Sequence, residues 1–100
     1  MRASLIIPTF NHARFVGAAI DSALAQTVSG FEVIVVDDGV SDETPNVLAR
    51  YAGRVRVLRQ ENRGLSAARN AGLAAAHGTF VSFLGAHDVM APAELAAQLE

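Results

Sequence analysis

Four short apolar runs alternate with four stretches of helical spacing along this chain. Residues 3–8, 33–36, 55–59 and 80–84 read as strands. The run Val33, Ile34, Val35, Val36 is apolar without interruption, as in a parallel strand covered by helices on both faces. Residues 55–59 instead alternate valine or leucine with arginine, which suits an edge strand with one wet face and charges that discourage pairing. Phe15, Val16, Ala19, Ile20, Ala23 and Leu24 recur at helical spacing within a helix expected over 13–26. Leu65, Ala68, Gly72, Ala75 and Ala76 give a second helix, 65–76, a small-residue face able to approach a sheet closely. The segment Ser41-Asp42-Glu43-Thr44-Pro45 reads as a helix start, with Thr44 as cap and Pro45 in the first helical position, and this short helix is expected to reach Tyr51. A last helix is expected over 92–99, with Pro92 at its first position.

Strand and helix thus alternate four times, which predicts an α/β fold: a Rossmann-like, doubly wound parallel sheet of four β-α units. In the strand order 3-2-1-4 the switch point lies between strands one and four. That brings residues 8–11, 37–41 and 85–88 around one crevice, at the carboxyl ends of the strands where such sheets bind ligands.

The stretch 31–41 anchors this reading. Its buried run ends in Asp37, Asp38 and Gly39, so two carboxylates arrive at the rim of the sheet. Asp-Asp-Gly is also good turn chemistry, and the residues alone leave both readings open. The first strand-to-helix loop, Thr9, Phe10, Asn11 and His12, has no glycine-rich turn, which argues against a dinucleotide cofactor.

Composition narrows the choices. With 51% hydrophobic and 18% charged residues the 100-residue chain is a folded unit, expected to be a single domain cut short of a full enzyme. A net charge of −2 leaves no basic footprint for nucleic acid. The absence of cysteine removes disulfides and thiolate sites and is compatible with a cytoplasmic location. No stretch resembles a signal peptide. The longest uncharged stretch, residues 70–87, contains His77, Gly78, Thr79 and Ser82 and reads as a helix followed by a strand rather than a membrane span. All eight basic residues are arginine, so the lysine of a phosphate-binding loop, and that of a phospho-aspartate signalling domain, are both missing.

Several motifs in order carry a resemblance: Ser-Leu-Ile-Ile-Pro-Thr-Phe-Asn at 4–11, Ala-Gln-Thr at 25–27, Val-Val-Asp-Asp-Gly at 35–39, Glu-Asn-Arg-Gly-Leu-Ser-Ala-Ala-Arg-Asn-Ala-Gly at 61–72, and a strand ending before His87-Asp88. Together, over nearly the whole chain, they resemble the amino-terminal half of family 2 glycosyltransferases. The resemblance implies a GT-A fold and an enzyme that transfers a sugar, with inversion, from a nucleoside-diphosphate donor, UDP-linked by expectation. It also implies a divalent metal, Mn²⁺ or Mg²⁺, on the diphosphate.

By that resemblance Pro8, Thr9 and Phe10 wall the base, Asp38 accepts a hydrogen bond from it with Asp37 in support, and residues 64–70 close over the nucleotide. A carboxylate beside an aromatic ring and a proline suits a uracil, which offers one N–H and a π-face. Arg69 reads either as a diphosphate contact or as a solvated helix arginine. At the metal motif, where the family commonly has Leu-Asp-Ala-Asp-Asp, this chain has Leu84, Gly85, Ala86, His87 and Asp88. His87 and Asp88 remain as metal ligands, with two carboxylates replaced. No catalytic base is expected in this chain, and Glu94 and Glu100 read as surface charges. An uncovered apolar edge predicts self-association. The alternative is a non-catalytic nucleotide-sugar-binding module with a degenerate metal motif.

Overall fold

The computed structural model describes residues 2–11, 13–39, 42–86 and 88–99. Strands β1 (Ala3–Thr9), β2 (Phe31–Asp38), β3 (Arg56–Gln60) and β4 (Phe80–Phe83) alternate with helices α1 (Ala13–Leu24), α2 (Thr44–Ala49), α3 (Leu65–Ala75) and α4 (Glu94–Leu99). The sheet runs β3-β2-β1-β4 and every pairing is parallel, the order the sequence predicts.

Side chains alternate across this sheet, so its central strands feed two cores. Leu5, Ile7, Val33 and Val35 pack with Val16, Ile20, Leu48 and Leu95 on the α1, α2 and α4 side. Ile6, Ile34 and Val36 pack with Ala68 of α3 on the other. The unbroken apolar run of β2 exists because both of its faces are covered. Helix α3 sits flush on the sheet: a Cβ at Gly72 would come within 2.4 Å of Ile6 Cγ2. Leu65 departs from the expected small-residue face. It is 55% exposed and stands at the crevice instead.

Other differences are at element ends, where side chains have competing partners. Helix α1 stops at Leu24, before Gln26, because Gln26 is buried and turned toward α4. Its amide donates to Ser22 O and Ala91 O (3.0 and 2.9 Å), and its carbonyl accepts Leu95 N–H at 2.9 Å. Thr44 is the first residue of α2 rather than its cap; the Asp42 carboxylate receives both its N–H and its hydroxyl. That helix ends at Ala49, short of Tyr51, whose hydroxyl donates to Asp21 at 2.8 Å and ties the segment to α1. Helix α4 begins at Glu94 rather than Pro92, since the Pro92 carbonyl is held by Thr27 N–H at 2.9 Å. Glu94 is exposed as expected, and Glu100 lies outside the described residues. Among the described residues no helix is long and apolar enough to cross a membrane.

Candidate functional site

Pro8 opens the site. A proline inside a central strand should cost a ladder hydrogen bond. Here Ile6 turns its carbonyl to Leu84 N–H on the β4 side, and by the two-residue period Pro8 faces the same way. Pairing with β4 ends at Ile6, so the missing donor of Pro8 falls where there is no strand to bond. The sheet is left split at its carboxyl end, between β1 and β4.

Two hollows border this split. The first, of about 460 Å³, is lined by Pro8, Thr9, Phe10 and Asp38 on the strand side and by Asn62, Gly64, Leu65 and Ala68 on the other. The second, of about 410 Å³, shares Pro8 and Leu65 and adds Arg69, Phe83, Gly85 and Asp88 among its walls. Of the residues expected from sequence, Pro8, Thr9, Phe10 and Asp38 therefore meet in one hollow, and Arg69 and Asp88 in its neighbour. Arg69 lies over the Phe83 ring at 5.6 Å, which gives its exposed guanidinium a definite seat at the second hollow.

Asp37, expected to support Asp38, stands on the other face of the sheet. Successive strand residues point to opposite faces. Asp38 faces α3 and the first hollow, whereas Asp37, also buried, meets Arg59 of β3 (Nε to Oδ2 3.4 Å) and does not line that hollow. His87, expected as a metal ligand, lies outside the described residues, as do Ser41 and His12.

The Asp38 carboxylate is 4% exposed yet well supplied with donors. Its Oδ1 accepts Gln60 Nε2 at 2.7 Å and Arg63 N–H at 2.9 Å, and its Oδ2 accepts Gly64 N–H at 3.1 Å. Burial pushes its pKa up, but these three hydrogen bonds to the charged form outweigh that and bring it below the usual value of 3.8. Gly39 completes the arrangement. Its φ of +74° and the 2.5 Å that would separate a Cβ from Asn62 N leave room only for glycine beside the loop that Asp38 holds. Gln60, Asn62 and the backbone donors of Arg63 and Gly64 escaped the sequence reading; the signal available was the polar run before Gly64, a glycine with φ of +94°.

Thr9 contributes a different feature. It is 2% exposed, and its Oγ1 is a buried side-chain polar atom with no hydrogen-bond partner among the described residues. Across the second hollow, Asp88 N–H donates to Gly85 O at 2.9 Å in a tight turn, and a Cβ at Gly85 would meet Asp88 Oδ2 at 2.5 Å. Among the described residues, no three histidine, aspartate or glutamate side chains group to hold a metal.

Known proteins match this chain in sequence and in fold. The family Glycosyl transferase family 2 matches residues 4–100. "Uncharacterized glycosyltransferase EpsJ" of Bacillus subtilis (strain 168) is 42% identical over 93 residues, covering 90% of this chain and 27% of its own length. Among solved structures, S. aureus TarS 1-349 in complex with UDP superposes with a TM-score of 0.84 at 28% identity, over 98% of this chain and 31% of that one. The mannosyltransferase PcManGT from Pyrobaculum calidifontis, in complex with GDP-Man and Mn²⁺, does so with a TM-score of 0.77 at 28% identity, over 88% of this chain and 28% of that one. The chain thus spans less than a third of the length of these relatives. It belongs to glycosyl transferase family 2 and shares the fold of glycosyltransferase enzymes.

Proposed function

We propose that this chain is the donor-binding part of an inverting family 2 glycosyltransferase, and that its donor is a UDP-linked sugar. The relatives' complexes include both UDP and GDP-Man, so the base must be argued from the pocket. Asp38 carries that argument. A carboxylate has about four lone-pair sites, and three are engaged by Gln60, Arg63 and Gly64. The remaining one, on Oδ2, matches the single ring N–H of uracil. Guanine presents a ring N–H and an amino group side by side and would need both oxygens. Pro8 and Phe10 offer the flat apolar wall for the ring. Thr9 supplies an uncommitted hydroxyl at the same end of β1.

The diphosphate then falls toward the second hollow, where Arg69 is the cation and Asp88 the carboxylate. One carboxylate together with diphosphate oxygens is an adequate set for Mg²⁺ or Mn²⁺. Asp88 would hold the ion, and the ion would neutralise charge on the departing nucleoside diphosphate. His87 is the second candidate ligand by sequence. The general base that activates the acceptor is assigned to no residue of this chain, which acts as one domain of a cytoplasmic enzyme. The single described carboxylate at this turn also supports a second reading, a nucleotide-sugar-binding module without metal-dependent catalysis.

Calorimetry with UDP, GDP and CDP, each with and without Mn²⁺, tests both. UDP should bind tightest, and Mn²⁺ should strengthen it if Asp88 holds the ion. Equal affinity for UDP and GDP would remove the uridine assignment. The β4 edge carries no charge and exposes Phe83, so self-association is expected there, and light scattering across a concentration series checks it.

A further inference from the structure

The arginines of this chain are unevenly placed. Arg50, Arg54, Arg56, Arg59 and Arg63 lie within fourteen residues that contain one acid, Glu61, so residues 50–63 carry +4 while the remainder of the −2 chain carries −6. This basic segment surrounds β3, the edge of the sheet opposite β4, and only its last residues, Gln60 to Arg63, reach the loop at the crevice. Beside the edge, between α2 and β3, runs a groove of about 430 Å³ with Pro45, Leu48, Ala49, Ala52 and Val57 as its apolar lining and Arg59 on its margin. Val57 is 37% exposed there.

We propose that the β3 edge and this groove dock an acidic extended segment of a partner protein, which adds to the sheet as a fifth strand. An edge strand offers unpaired backbone donors and acceptors, and strand addition takes affinity from these and selectivity from alternate side chains. Arginine stands on both faces of β3: Arg59 with Val57 toward the groove, Arg56 toward α3. A strand with carboxylates opposite Arg56 and Arg59 and an apolar side chain over the groove satisfies every position. Arg59 uses Nε on Asp37 and has further donors in its fork. The same pattern rejects a second copy of this chain, because β3 against β3 sets arginine against arginine. An anionic membrane would find a concave apolar floor rather than a protruding one.

The test is fluorescence anisotropy with a labelled eight-residue peptide that repeats Glu-Val-Thr-Glu, which sets a carboxylate on each face and valine over the groove, beside its counterpart with lysine for glutamate. The acidic peptide should bind, lose affinity several-fold as salt is raised, and lose it again when alternate backbone amides are N-methylated. Val57→Glu and the pair Arg50→Glu with Arg54→Glu should each weaken it several-fold while circular dichroism and UDP binding stay as in the parent. Comparable binding of the lysine peptide, indifference to Val57→Glu, or binding to phosphatidylserine-containing vesicles in place of the peptide would each overturn the proposal.

Discussion

Strand β2 carries two carboxylates on the face that meets α3, Glu32 near its start and Asp38 at its end, and each secures one end of that helix. Asp38 gathers the loop before α3 through Arg63 and Gly64 N–H. Glu32 gathers the segment after it: Oε2 accepts Ser4 Oγ at 2.6 Å and His77 N–H at 2.7 Å, and Ser4 Oγ in turn accepts Gly78 N–H at 2.8 Å. Arg56 Nη1 (3.3 Å) and His77 Nδ1 (3.5 Å) close on Oε1. What separates the two is vacancy. Glu32 accepts from Ser4, His77 N–H and Arg56, has the His77 ring beside Oε1, and lines neither hollow, so it serves to hold the fold. Asp38 keeps a site and lines an open hollow. Buried, well-bonded carboxylates are common at loop junctions, and only the one with unspent capacity beside empty space is equipped to take a ligand.

The widest test of this contrast is Asp38→Ala against Glu32→Ala. Asp38→Ala should weaken UDP binding by about 1–3 kcal/mol, roughly fivefold to a hundredfold, because it removes the acceptor and releases the loop bearing Asn62 and Gly64. Its thermal stability should fall as well. Calorimetry and a melting curve on the same sample give both numbers, and unchanged UDP affinity would end the assignment of Asp38 to the base. Glu32→Ala should lower stability by about 1–3 kcal/mol, since Ser4 and the His77 amide lose their partner, while leaving UDP affinity within twofold or so. A comparable loss of UDP affinity in Glu32→Ala would mean that α3 transmits between its ends and that the two carboxylates are not separable.

A finer probe uses protons. Burial resists ionisation of Glu32, but hydrogen bonds from Ser4, His77 N–H and Arg56 prevail and lower its pKa from 4.5 to about 2. A depressed folded-state pKa stabilises above the unfolded value, so this contribution is complete above pH 4.5 and is lost as pH falls toward 2. Chemical denaturation followed between pH 5 and pH 2.5 should show stability falling in the parent and falling less steeply in Glu32→Gln. Parallel curves would indicate that Glu32 is not the group titrating there.

The sequence made the strands, their order and the crevice legible because uninterrupted apolar runs and helical spacing are local records of burial. It did not separate Asp37 from Asp38, although the two-residue period of a strand requires them to part. Nor could it reveal Glu32, an acid near the start of its strand whose contacts come from positions 4, 56 and 77. The ends of α1 and α4 were misplaced for a similar reason: Gln26 leaves its helix to bond residues 91 and 95, and no local pattern encodes a partner so distant. Leu65 was assigned to the buried face by spacing, but at the first turn of α3 the sheet beneath it has already ended, and spacing carries no information about where the opposing surface stops.

The smallest expected effect concerns the turn at residues 85–88, where a metal would sharpen the difference between the two ends of the sheet. An imidazole must be unprotonated to bind a cation, whereas a carboxylate brings charge as well as a lone pair. His87→Asp should therefore raise Mn²⁺ affinity in the presence of UDP and reduce its loss on acidification. A second carboxylate at position 85 should add less. The Cβ of Gly85→Asp would come within 2.5 Å of Asp88 Oδ2, so the new side chain enters only if the Asp88 carboxylate swings aside. Asp88 is the carboxylate assigned to the ion, and displacing it offsets part of the charge gained. Titrating Mn²⁺ into the parent, His87→Asp and the double variant, each saturated with UDP at neutral and mildly acidic pH, ranks the three. A gain from Gly85→Asp as large as that from His87→Asp would show that Asp88 moves freely and is not the fixed ligand, and identical affinity in all three would place the ion away from this turn.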